Sequence, residues 1–308
     1  VKKLRAFASK LKAVSEFASD GYQYMKDAAP SERIAFGVTD PVHLECTLTK
    51  DYHRIEKGIS LRVPKRPFGE AVANRIQHNL LAFDGIESTD EGGREFVRYS
   101  VEALEALNLW NREGERDSRL DFELATPRSG HDVDNVSRFF GSRSSVRSFD
   151  RTREIPAEIL NNAIALAANS PSVCNRQSWR AHLYTDPVDV LNVLKLQNGN
   201  SAFRDEVPCV AVVTVDRRLF SGIEERNQRW VDGGLFAMSL VWGLHALGLS
   251  SCMLNWSVNA DRSRALREEG NIPAVEDIIV MIAIGYADEG AKRARSSRRP
   301  LEGIARFH

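Results

Sequence analysis

Cysteine is scarce in this chain of 308 residues: there are 4, at Cys46, Cys174, Cys209 and Cys252, and no two form a CxxC pair. So few thiols, so far apart, exclude a disulfide scaffold and a zinc ribbon. The compartment expected of such a chain is the reducing cytoplasm. Histidine is also sparse, 7 in all with no HExxH, and no metal cluster is legible. An excess of either charge is missing, since Lys plus Arg and Asp plus Glu both number 42. The chain therefore lacks the electrostatic footprint of a nucleic-acid binder. No run approaches the ~18 apolar residues of a membrane span. The opening VKKLRAFASKLKAV lacks the continuous apolar core of a signal peptide. Repeats, low-complexity blocks and a GxGxxG fingerprint are absent too. What is present, 43% hydrophobic and 27% charged residues, is ordinary for a globular protein of one large or two modest domains.

Hydrophobic spacing organises the first part into helices. Val1, Leu4, Phe7, Leu11, Val14 and Phe17 share one face of a helix over 1–19, ended by Asp20-Gly21. Its basic flank permits membrane-surface contact, and the favoured expectation is docking on its own protein. DYHRIEKG reads as the end of a second helix with Gly58 as its C-cap. Helical patterns follow over 70–83 and 94–110, separated by a polar loop at 84–93. A domain boundary is expected at 120–135, dividing a helical N-terminal extension (1–130) from a second domain (131–308). Beyond it, helices are expected at 155–169 and 232–248, and strands at 180–185, 209–215 and 278–285. The helix at 232–248 is apolar nearly all round, which hints at a subunit interface. This is an α+β or α/β layered texture.

Four clusters could carry chemistry. GSRSSVRSF places Arg143 and Arg147 among Ser142, Ser144, Ser145 and Ser148. Guanidinium forks and hydroxyls suit a phosphate dianion, although a solvated helix start has the same composition. SPSVCNRQSW presents Asn175, Arg176 and Gln177 on a loop before a strand, where their polar groups can read the edge of a planar heterocycle. Cys174 invites a nucleophile reading, against which no histidine lies close in sequence. SCMLNWSV offers small residues that let a ligand approach the backbone, and a Trp256 that either stacks or packs in the core. RARSSRRPLEGI is a basic stretch that would otherwise read as a solvated tail. Elsewhere, His53 and Glu56 share a helix face; they suit a metal or, more simply, a hydrogen bond to each other.

Taken in order, these clusters resemble the motifs of the flavin-dependent nitroreductase family. The matching segments are Arg143-Ser144-Ser145-Val146-Arg147-Ser148-Phe149, Ser170 to Trp179, Leu247-Gly248-Leu249, and Ile284-Gly285-Tyr286 with Arg298-Arg299-Pro300-Leu301-Glu302. The likeness covers about residues 136–306. It departs at Ser178 and Tyr286, where prolines are usual, at Ser144 in place of an arginine, and in a short segment at 216–231. The pattern Tyr52–Gly58 with Arg66–Gly69 looks like an extension seen in members associated with polysaccharide biosynthesis.

The resemblance implies an α/β/α layered domain with a central, mostly antiparallel sheet, preceded by the helical extension. It implies FMN at the interface of a homodimer. Arg143, Ser144, Ser145, Arg147 and Arg298 would face the phosphate, and Pro171, Ser172, Asn175 and Gln177 the ring edge. Leu254, Asn255 and Trp256 would be backbone donors near N5. The chemistry would be ping-pong, from NADH or NADPH through FMN to a small-molecule acceptor, with no catalytic side chain because the flavin carries the hydride. Two alternatives are a specialised reaction on the same fold (flavin fragmentation, dehalogenation or heterocycle oxidation) and a flavin-binding scaffold without turnover.

Overall fold

The computed structural model describes residues 2–31, 36–83, 92–120 and 133–308. Its sheet has four strands, β1 (Trp179–Tyr184), β2 (Cys209–Asp216), β3 (Ser250–Asn255) and β4 (Glu276–Gly285), in the order β1-β2-β4-β3. All three pairings are antiparallel. Every residue of β2 is buried, which is why its sequence, CVAVVTVD, shows no polar alternation. Cys209, Ala211, Val213 and Val215 face one core with α6 (Ala157–Ala167) and α8 (Gln228–Ala246). Val210 and Val212 face the other, with α7 (Pro187–Lys195) and α9 (Ala260–Glu269). The expected α/β/α layering with an antiparallel centre is therefore present. The register shifts between Val213 and Thr214, so Ile279 and Val280 of β4 both face the α8 side, as at a β-bulge.

The glycine at 233 is needed for this packing. A Cβ there would stand 2.6 Å from Ile279 Cγ1, so only glycine lets α8 lie this close to β4.

Ahead of the sheet run α1 (Lys2–Asp27), α2 (Pro41–Ile59), α3 (Glu70–Phe83) and α4 (Gly92–Glu113). α2, α3 and α4 share their own apolar cluster around Leu44, Leu48, Ile76 and Leu107. The buried Arg75–Asp51 pair crosses it, with Nε–Oδ2 at 2.6 Å. α2 also touches the main body, through Cys46 and the turn at Leu219.

Three expectations about these helices need correction. The first helix does not stop at Asp20-Gly21 but continues to Asp27. Tyr24 is buried in the main core and Asp27 pairs with Arg217 at 2.5 Å, so tertiary contacts hold the last turns despite Gly21. Its apolar face does not dock on the protein. Leu11, Val14 and Phe17 are exposed, at 55%, 65% and 77%, and the packed side carries Glu16 and Tyr24 instead. Val1, Leu4 and Phe7 lie outside the residues whose side chains are described. Gly58 is not the C-cap, which is Ser60. A Cβ at Gly58 would meet Phe68 Cε2 at 2.4 Å, so that glycine makes room for a ring. The expected boundary at 120–135 and loop at 84–93 fall largely outside the described residues.

Candidate functional site

The arginine-rich segment is fixed by backbone pairing at one end of the sheet. Ser145 bridges Ser251 at the head of β3, and Val146 N–H donates to Ser251 O at 3.0 Å. Asp150 N–H donates to Tyr286 O at 3.0 Å, and Phe149 is buried beneath. These anchors leave Ser144 and Ser145 half-buried and Arg147 exposed. Arg143 lies 5.8 Å from the Trp242 ring centroid. Among the described residues neither arginine is in an ion pair, so both guanidinium groups are available to an anion.

β3 leads from that segment to the third cluster. Leu254 is buried in the α7–α9 core, and Trp256 packs on the same core while its Nε1 donates to Ser263 Oγ at 3.0 Å. Asn255 O accepts from Gln197 Nε2 at 3.0 Å. The side chains of Leu254 and Trp256 are thus committed to packing, and the segment offers a ligand mainly its backbone. Leu254 to Trp256 stand roughly 10–17 Å along the strand from Ser251.

The loop before β1 has an unusual backbone. Cys174, Asn175 and Gln177 have φ of 49°, 56° and 48°, the left-handed region that non-glycine residues seldom adopt. Gln177 N–H donates to Ser172 Oγ at 3.0 Å, and Val173 N–H donates to Asp232 Oδ2 at 3.1 Å. Asp232 is a neighbour of this loop that sequence reasoning missed; its signal was an acid inside an otherwise apolar helix. Burial pushes its carboxyl upward, partly opposed by hydrogen bonds from Gln228 and Val173. Pro171 and Gln177 are exposed, and Ser172 and Asn175 half-buried. The carboxamide of Gln177 holds only long contacts, 3.4 Å to Asn175.

Arg176 does not join its neighbours at the surface, as the sequence had suggested. It turns inward, with Nη2 2.6 Å from Glu225 Oε2 and Nη1 3.2 Å from Cys46 Sγ. It is a tie between α2 and the loop rather than a ligand reader. Cys174 is half-buried and, among the described residues, hydrogen-bonds to no histidine.

The basic tail reaches the first cluster through a different residue than expected. Arg293 Nη1 donates to Gly141 O at 3.1 Å, whereas Arg298 is exposed and contacts its own backbone at Ser296 O. His53 and Glu56 meet in a hydrogen bond of 3.0 Å.

The clusters are not all neighbours in one chain. Ser145 lies beside Ser251, which pairs with Ile284 at the far end of β4 on the β3 edge. The loop at 170–178 enters β1 at Trp179, opposite Val215 at the other end of β2. β1 and β3 are opposite edges, three strand spacings or ~14 Å apart. The arginine segment and the carboxamide loop therefore occupy opposite ends and opposite edges of the sheet.

Between them α8 leaves an apolar stripe uncovered. Val231 and Leu235 are 51% and 41% exposed. Further along, Trp242 is only partly covered, by Phe139 and Phe140 of α5 (Val133–Ser142), a helix with no buried residue.

The nitroreductase family model matches residues 141–195 and 188–286, the span that holds the sheet, α8 and three of the clusters. Residues 141–286 belong to the nitroreductase family. A Bacillus subtilis structure described as a nitroreductase superposes on this nitroreductase region with a TM-score of 0.50, at 18% identity, covering 57% of this chain and 100% of that one. An FMN-dependent nitroreductase from Clostridium difficile gives 0.48 at 22% identity, covering 55% and 98%. A curated relative, the iodotyrosine dehalogenase 1 homolog of Caenorhabditis elegans, is 24% identical. The match spans 54% of this chain and 59% of that relative.

Proposed function

We propose that this chain is an FMN-dependent oxidoreductase acting as a homodimer, which passes electrons from NADH or NADPH to a small organic acceptor. The observation that carries this reading is the placement of the clusters. Arg143 and Arg147 stand at the head of β3, and the Leu254–Trp256 backbone stands farther along the same strand. That spacing suits a phosphate at one end and a ring system at the other. The donor chemistry fits FMN: unpaired guanidinium groups and hydroxyls for the phosphate, backbone groups and carboxamides for the heterocycle edge.

The loop bearing Pro171, Ser172, Asn175 and Gln177 is too far across the sheet to complete that site in its own chain. A second chain would bring it there. The exposed Val231–Leu235–Trp242 stripe gives such a pairing its apolar surface, as obligate homodimer interfaces require. Bound FMN supplies hydride acceptance and donation; the protein binds it, orients it and shields it from water. In this reading residues 1–130 are an extension of the flavin-binding domain at 131–308, and Arg298 belongs to the phosphate set. Four free cysteines suit a cytoplasmic setting; among the described residues no helix is long and apolar enough to cross a membrane.

A second reading, favoured by the dehalogenase relative, keeps the flavin and makes the acceptor a halogenated aromatic. The test is anaerobic titration of the flavin-loaded protein with each nicotinamide, followed by a nitroaromatic and then a halophenol. Bleaching by a nicotinamide and recovery with the nitroaromatic supports the first reading. Recovery with the halophenol alone supports the second. No bleaching with either nicotinamide contradicts the proposed donor.

A further inference from the structure

A cleft of about 960 Å3 lies between α1 and the wall formed by the start of α8, the start of β4 and α9. It is separate from the arginine and carboxamide clusters and meets the third cluster only at Trp256 and Val258. α1 closes it. Glu16 Oε2 accepts from Ala260 N–H at 3.1 Å, and Tyr24 OH donates to Gly222 O at 2.6 Å. Ile272 and Ile278 give the cleft an apolar part, and the Trp230 ring, 44% exposed, forms a flat wall.

Its distinctive group is Arg229, at 6% exposure. The guanidinium lies 4.9 Å from the Tyr24 ring centroid and 5.0 Å from that of Trp230. Nε is 3.1 Å from Asp277 Oδ2, an ion contact without hydrogen-bond geometry. Nη1 is buried and, among the described residues, has no hydrogen-bond partner. A buried donor left unmade is costly, which points to an acceptor entering from the cleft.

Charge selects the kind of acceptor. Arg217, Arg229 and Arg267 crowd round Asp277, and Asp27 answers only Arg217. Three guanidinium groups thus share two carboxylates in ion pairs, with the Asp20 carboxyl close by. Of the other acids on the cleft, Glu16 is spent on the first N–H of α9, and Glu268 lies at the α9 rim. Asp20 is raised by burial and by Asp277, with Arg229 and Arg217 opposing. The α9 N-terminus is already capped by Asn259 and Glu16 and competes for no ligand.

We propose that this cleft binds a small aromatic carboxylate, its carboxylate accepting from Arg229 Nη1 and its ring lying against Trp230. The site is independent of the flavin reading, and its test needs no flavin. Calorimetric titration of the full chain with benzoate is expected to saturate, with benzamide, its uncharged counterpart, binding at least ~10-fold more weakly. Arg229→Gln is expected to weaken benzoate ~10- to 100-fold. Trp230→Ala removes a partly exposed ring and leaves the buried ion pairs in place, and is also expected to weaken benzoate while circular dichroism stays unchanged. It decides the matter should Arg229→Gln not fold. Absence of benzoate binding, equal affinity for benzamide, or unchanged affinity in a folded variant would overturn the proposal.

Discussion

Arg143→Ala isolates the proposed phosphate contact better than any other single change. In the structure Arg143 is in no ion pair among the described residues; its recorded contact is with the Trp242 ring at 5.8 Å. A partly exposed cation–π contact at that distance is worth about 0.5 kcal/mol. Its loss should move the apo-protein's melting temperature by only about 1–2 °C. The lost bond to a phosphate is worth far more, about 1.5–3 kcal/mol for a charge-assisted hydrogen bond. That is a weakening of FMN of about 10- to 150-fold. Arg143→Lys keeps the charge but loses the planar fork, and should fall between wild type and alanine. Quenching of FMN fluorescence on titration with apo-protein measures all three affinities, and melting curves without flavin establish that each variant is folded. An affinity within about twofold of wild type, for Arg143→Ala and for the double variant with Arg147→Ala, would refute the assignment of this segment to the phosphate.

Other changes probe separate parts of the account. Cys174→Ala should retain FMN and its reduction by nicotinamide, since hydride chemistry at a flavin needs no thiolate. A rate loss beyond about 100-fold, roughly 2.7 kcal/mol at the barrier, with FMN still bound would restore the nucleophile reading. Leu235→Glu puts a charge on the uncovered stripe of α8, and sedimentation should show dimer giving way to monomer with FMN affinity falling alongside. His182→Gln tests the buried Glu276 cluster. Burial pushes that carboxyl up, but hydrogen bonds from His182, at 2.7 Å, and Thr214 outweigh it and hold it below its ordinary value. A depressed carboxylate stabilises the fold above its ordinary pKa of about 4.3 and loses that contribution as pH falls through its folded value. The variant should therefore unfold at a higher pH on acid titration followed by circular dichroism.

The parts of the fold written in local composition were the legible ones. The β-branched run at 209–215 and the apolar run at 278–285 became β2 and β4 because both sheet faces are covered. β3, with the sequence SSCMLN, has too few β-branched residues to announce a strand; its place is set by pairing with β4. α1 shows the limit of face assignment. Leu11, Val14 and Phe17 are left exposed, and Glu16, Tyr24 and Asp27 decide which side packs, through partners 244, 198 and 190 residues away. The same holds at the site. The loop around Asn175 and Gln177 was readable as a loop, but the inward turn of Arg176 depends on Cys46 and Glu225, 130 and 49 residues distant. That the arginine and carboxamide segments stand at opposite ends of the sheet is a consequence of strand order, which no local pattern encodes.

The central claim is that FMN is held between two copies of this chain. Sedimentation velocity of the FMN-loaded protein, recorded in the flavin's visible absorption band, tests it directly because only bound flavin moves with the protein. The account predicts a single flavin-bearing boundary at twice the chain mass of 34.5 kDa. Flavin moving with a species of 34.5 kDa would contradict the two-chain site, and flavin left unsedimented beside folded protein would contradict the cofactor itself.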